Sequence, residues 1–150
     1  MRITAKARYG LRILMDIAVN ERPERPRTIK EISEAQGIGE KFISRLVVSL
    51  RENGMIHSER GRDGGFRLAK APSDITLLDV IEALQGPISV VDCVGCPRNC
   101  DKTKKCVASS IWVDVNSAIR SSLAGITMEK IMARISGTGF IPSSIAEYAI

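Results

Sequence analysis

Ile38-Gly39-Glu40-Lys41-Phe42-Ile43-Ser44-Arg45-Leu46-Val47-Val48-Ser49-Leu50-Arg51-Glu52-Asn53-Gly54-Met55-Ile56-His57-Ser58-Glu59-Arg60-Gly61-Arg62-Asp63-Gly64-Gly65-Phe66-Arg67-Leu68-Ala69 decides the reading of this chain. Phe42, Ile43, Leu46, Val47 and Leu50 recur at helical spacing and share one face, which leaves Lys41, Ser44, Arg45, Val48 and Arg51 on the other. One face packs; the other is cationic and free. Asn53-Gly54 stops the helix, because glycine accepts the left-handed backbone of a C-terminal cap. Residues 55–60 and 66–69 then form two short strands around Gly61-Arg62-Asp63-Gly64-Gly65, where Asp-Gly is a hairpin signal. A basic helix followed at once by a Gly- and Arg-rich hairpin is the layout of a winged helix-turn-helix.

The rest of the chain fits around that unit. Its 150 residues hold one modest core or a small head with an appendage. Twenty-two Lys and Arg against seventeen Asp and Glu favour a polyanionic partner, mildly. Position says more than the sum, since the basic residues from 45 to 67 are all Arg, which forks onto phosphates and guanine edges as Lys does not. No apolar run reaches membrane-spanning length and residues 1–4 lack a signal-peptide core, so a cytoplasmic protein without membrane contact is expected. In that reducing compartment cysteines read first as metal ligands or redox thiols.

Upstream, Thr4 caps a first helix through about Val19 with Ala7, Leu11, Leu14, Met15 and Ala18 as its stripe, and the Pro- and Arg-containing loop 21–27 ends it. Thr28-Ile29-Lys30-Glu31 is a capping box that starts a second helix ending near Gln36, with Gly37 as the turn. Downstream, Thr76 with Asp79 caps a helix carrying Leu77, Val80, Ile81 and Leu84, which Gly86-Pro87 ends. A long helix from about Cys106 to Leu123 carries Ile111, Val115, Ala118 and Ser122, widened by Trp112 and Ile119. It suits contact with a second chain or packing on its own domain. Thr127 caps a last helix to about Ile135. The expected organisation is mainly α with a small β-wing: a winged helix-turn-helix head over 1–70, a linker helix over 71–92, a cysteine-rich loop over 93–106, dimerisation helices over 107–135 and a tail over 136–150.

In the head, Glu40, Lys41, Ser44, Arg45, Val48 and Arg51 are the side chains expected to face DNA, the first five near base edges in the major groove. Arg60 and Arg62, on a tip thinned by glycines, suit the minor groove, and Thr28 and Lys41 suit phosphates at helix N-termini. The bland alternative is a solvated basic face on a protein-binding module of the same shape.

Cys93, Cys96, Cys100 and Cys106 place four thiols within fourteen residues. A zinc ribbon joins two close pairs, whereas only Cys93 and Cys96 make such a pair here. Such a grouping in a short loop suits an iron-sulfur cluster, whose negative charge Arg98, Lys102, Lys104 and Lys105 offset. An inert or disulfide-prone loop is the structural alternative. His57, the one histidine, reads as an ordinary strand residue. With no paired carboxylates, Ser/His/Asp set or phosphate loop, an enzyme is not expected, and an electron carrier would leave the Arg-rich wing without use.

With these motifs placed, the sequence resembles the Rrf2 family of bacterial transcription regulators, whose members include IscR, NsrR, RirA and CymR. The likeness lies in residues 1–12, in Ile32-Ser33-Glu34-Ala35-Gln36-Gly37-Ile38, in Asn53-Gly54-Met55-Ile56 and in Arg60 through Ala69. It implies a homodimer crossed through the long helix on a pseudo-palindromic double-stranded operator. In cluster-binding members it implies a two-iron or four-iron cluster (2Fe-2S or 4Fe-4S), which isolation in air can remove, on the positions of Cys93, Cys100 and Cys106. IscR-like members carry a His where this chain has Ser109, and NsrR-like members an Asp where it has Arg8, which leaves Cys96 as the candidate fourth ligand. CymR-like relatives answer instead to cysteine synthase, and Glu147-Tyr148-Ala149-Ile150 resembles the Ile-terminated peptides which that enzyme accepts. The expected function is a regulator, a repressor by preference, that senses iron-sulfur, redox or nitric oxide status; the alternative is a cluster-free regulator of cysteine metabolism under thiol or partner control.

Overall fold

A computed structural model describes residues 2–20, 22, 25–61, 64–95 and 106–137. In chain order these form α1 (Ala5–Val19), α2 (Ile29–Gln36), α3 (Glu40–Glu52), β1 (Ile56–Glu59), β2 (Gly65–Leu68), a 3-10 turn (Pro72–Asp74), α4 (Leu77–Gln85), α5 (Asp92–Gly95), α6 (Val107–Ala124) and α7 (Met128–Gly137).

The helix ends lie where the capping chemistry puts them. Thr28 and Thr76 each accept the backbone N–H three residues on, while Glu31 and Asp79 reach back to the cap N–H, so both boxes are complete. Thr4 Oγ1 accepts Ala7 N–H and starts α1. Gly37 at φ 62° and Gly54 at φ 64° occupy the left-handed region that closes α2 and α3.

The core joins Ile13, Leu14 and Ile17 of α1 to Ile32 of α2, the Ile43, Leu46, Val47 and Leu50 stripe of α3, Ile56 and Leu68 of the wing, and Val80, Ile81 and Leu84 of α4. Ile13 and Ile17, absent from the expected stripe of α1, are fully buried, whereas Leu11 and Met15 sit at its margin. The helix expected over 71–92 is part of the core: α4 packs closely on α1, and a Cβ at Gly10 would stand 2.0 Å from Leu84 Cδ1.

β1 and β2 pair antiparallel with His57 opposite Arg67 and Glu59 opposite Gly65. Arg27 adds a short third edge, giving its N–H to Phe66 O at 3.1 Å and taking Phe66 N–H at 2.8 Å. Gly65 is required there, because a Cβ would lie 2.7 Å from Arg27 O. His57 is exposed on β1.

Candidate nucleic-acid interface

Recognition begins with how α3 is held. Its apolar stripe is sealed against the head, and Phe42 meets Tyr9 of α1 edge to face at 5.7 Å between ring centres. The Arg12 guanidinium lies over the same Tyr9 ring, 5.4 Å from its centre. Glu40, Lys41, Arg45, Val48 and Arg51 all reach solvent, and Ser44, half-buried, donates its hydroxyl to Glu40 O at 2.8 Å. Glu40 stands in the first turn and Arg51 in the last, each where the helix dipole favours its charge. Lys41, Arg45 and Arg51 have no ion-pair partner among the described residues, so three cations and Val48, 41% exposed, share one open face.

On the wing, Arg60 is exposed beside Gly61; Arg62 lies outside the described residues. Arg67 turns back into the hairpin, bonding Glu59 at 2.6 Å and Arg22 O. Thr28 forms the capping box expected of it. Its hydroxyl donates to Glu31 Oε2 at 2.8 Å and its N–H to the same atom at 2.9 Å, so a phosphate contact there competes with the cap of α2. Partial burial pushes the Glu31 pKa up, but those bonds and the nearby Arg25 and Arg27 outweigh it and leave the pKa below its usual value.

α1, α2 and the Arg27 edge of the wing are joined by a polar network that sequence reasoning missed. Asp16, 4% exposed, takes Arg27 Nε at 2.7 Å and Gln36 Nε2 at 2.8 Å. Gln36 in turn accepts Arg12 Nε at 3.1 Å through its side chain and Arg12 Nη2 at 2.9 Å through its carbonyl. A lone carboxylate between Met15 and Ile17 was the available signal, since a charge on an apolar face demands a partner.

The cysteine segment lies between α4 and α6 in the chain. Cys93 is half-buried on α5, which packs on α6, and Cys106 is the exposed N-cap of α6. Cys96 and Cys100 lie outside the described residues, among which no three metal-binding side chains converge. Ser109 is buried. The stripe expected on α6 points away from its own head: Ile111 is 56%, Trp112 42% and Val115 37% exposed. Packing onto its own domain is thus carried by the opposite, mixed side of α6, through Asn116, Arg120 and Leu123.

Residues 3–134 match the family model described as Rrf2, iron-dependent transcriptional regulator. The chain belongs to the Rrf2 family. It is 33% identical over 132 residues to the HTH-type transcriptional regulator IscR of Photorhabdus laumondii subsp. laumondii, covering 88% of this chain and 79% of that protein. Among solved structures it is similar to CymR, the global cysteine regulator of B. subtilis, with 30% identity, TM-score 0.72 and coverage of 89% and 98% of the two chains. T. potens IscR is similar too, with 28% identity, TM-score 0.72 and coverage of 92% and 90%. Rrf2 membership makes the chain a DNA-binding transcriptional regulator and not an enzyme, and the winged helix-turn-helix expected from the α3 stretch is the fold it shares with these neighbours. No described helix is long and apolar enough to cross a membrane.

Proposed function

We propose that this regulator is a cytoplasmic homodimeric repressor whose grip on a pseudo-palindromic operator is set by an iron-sulfur cluster on its cysteine segment. The observation that carries the reading is placement: Cys93 and Cys106 flank the junction between the DNA-reading head and α6, whose outer apolar face is uncovered. In each head, Glu40, Lys41, Ser44, Arg45, Val48 and Arg51 face the major groove, while Arg60 and Arg62 follow the minor groove. Half-sites on one face of B-DNA lie about 34 to 36 Å apart or a multiple of it, so a small movement at the junction misplaces one recognition helix.

The donor set fits a thiolate-held cluster. Cys93 and Cys106 stand on neighbouring elements, one of them at a helix start whose free N–H groups favour negative charge. Cys93, Cys100 and Cys106 would hold the metal, with Cys96 as fourth ligand, and the lysines between them would offset its charge. A bound cluster, two-iron or four-iron, supplies a centre that oxidant or nitric oxide can alter. The chain's own part is to convert that alteration into a changed angle between α6 and the head, worth the free-energy difference between two states, typically about 1 to 3 kcal/mol. The test is purification without air, followed by an absorption spectrum and iron and zinc assays, with operator titration of the native protein and of Cys106→Ala. Iron, a charge-transfer band and a response lost in Cys106→Ala support the reading. A metal-free protein, or a variant that binds operator and answers oxidant as the parent does, ends it.

A second reading rests on the exposure of Cys106 and the likeness to CymR, of which one similar structure is described as an oxidized form. Here the thiols themselves are the switch, or a cysteine synthase partner docks on Glu147–Ile150, a tail outside the described residues. Titration of the tail peptide against cysteine synthase, and of operator with the oxidised and reduced metal-free protein, separates these from the cluster.

A further inference from the structure

Besides the packing of Leu123, two polar ties fix the long helix to its head. At its far end the attachment is backbone: Leu77 N–H donates to Ile126 O and Met128 N–H to Ile75 O, both at 2.8 Å, so the residues after α6 pair with the start of α4. One turn before the end of α6 it is a single carboxylate. Glu82 of α4 takes Arg120 Nη1 on one oxygen and Nη2 at 3.2 Å on the other. The oxygen that receives Nη1 also accepts Ile88 N–H at 3.1 Å. One turn before Arg120, Asn116 Oδ1 accepts Val90 N–H at 3.1 Å. The segment leading to Cys93 is therefore stitched to the same stretch of α6 that Glu82 ties to the head. It is also tightly folded, since a Cβ at Gly95 would lie 2.6 Å from Ser89 Oγ.

We propose that Glu82, through Arg120, is the positioning residue that sets the separation and twist of the two DNA-reading heads, and so the half-site spacing the dimer accepts. The proposal rests on the homodimer reading above. The backbone clip and the Glu82 bonds, with Leu123 packed between them, define an angle; without the Glu82 bonds α6 is freer to pivot on the clip. A guanidinium that donates two roughly parallel bonds to one carboxylate fixes the mutual orientation of the elements carrying them, where sliding apolar contacts do not. α4 itself packs on α1 and α3, so an orientation set at Glu82 is an orientation of the recognition helix.

The readout is spacing selectivity, which a merely structural role would leave alone. A site selected from random DNA by the native protein is rebuilt with one or two base pairs added or removed between half-sites. Each base pair shifts a half-site by about 3.4 Å and about a tenth of a turn. Native protein should lose about tenfold or more per base pair, while Glu82→Gln and Arg120→Met should vary by less than about threefold across the series. Their affinity for a single isolated half-site should equal that of the parent. A variant that keeps the native spacing preference overturns the proposal, as does an equal loss on single and paired half-sites, which would place Glu82 in the stability of the head. If the native protein sediments as a monomer or shows no spacing preference, it is the homodimer reading that fails.

Discussion

Replacing Asp16 by Ala takes the acceptor from two donors at once. Gln36 is buried, and its amide would be left unpaired, which costs about 1 to 3 kcal/mol. Breaking a fully buried ion pair costs about 3 to 5 kcal/mol, but the Arg27 side chain is 20% exposed and recovers part of its hydration. The two effects share one network and do not add in full, so the expected loss is about 3 to 4 kcal/mol, a large share of the roughly 5 to 15 kcal/mol that holds a domain. Asp16→Asn, which keeps one carbonyl oxygen, should lose about half as much. Urea unfolding at pH 7.5 and one fixed protomer concentration measures it, since dimerisation otherwise moves the midpoint. The Phe66 amide, which bonds Arg27 O, should exchange with solvent faster in the variant. An Asp16→Ala protein within about 0.5 kcal/mol of the parent would show that the network does not hold α1, α2 and the wing edge together, and the reasoning would be wrong.

At Gly10, substitution by Ala pushes a methyl into Leu84 and should cost about 1 to 3 kcal/mol, read by the same unfolding assay; a neutral result would mean that the Leu84 side chain turns aside without loss of packing. Gly65→Ala should break the Arg27 edge of the wing and weaken operator binding more than it weakens the fold, because its Cβ meets Arg27 O and the core lies elsewhere. For Glu82, the bonds from Arg120 lower the folded pKa below 4.5, outweighing partial burial with help from the Ile88 N–H. A lowered folded pKa stabilises above the unfolded value and the gain disappears as pH falls through the folded one, so on acidification from pH 4.5 the melting temperature of the parent should drop more than that of Glu82→Gln; parallel curves would count against the pair.

Local signals in the chain were enough for most of the fold. The caps at Thr28 and Thr76 and the left-handed turns at Gly37 and Gly54 depend on residues within four positions of one another, and the α3 stripe is a clean periodicity. What escaped was non-local. Arg27 pairs with Phe66 from a proline-bracketed loop that shows no strand pattern, and Asp16 finds partners 11 and 20 residues away. On α6, hydrophobic spacing located the free face but not the docked one, because Asn116 and Arg120 do the docking and an apolar template passes over them. At the candidate interface, solvent-facing side chains on α3 followed from its period, and the Thr28 cap from the Thr28–Glu31 spacing; what only the structure shows is that both Thr28 donors are spent on Glu31.

The central claim is that α3 and the wing grip duplex DNA through their arginines. Its most direct measurement is operator affinity against salt concentration for the native protein and for Arg45→Ala with Arg60→Ala. Each removal takes one positive charge from beside the phosphate backbone, so the double variant should flatten the slope of log affinity on log salt by up to about 2 per head and bind at least about tenfold more weakly at physiological salt. An unchanged slope and affinity would contradict the account.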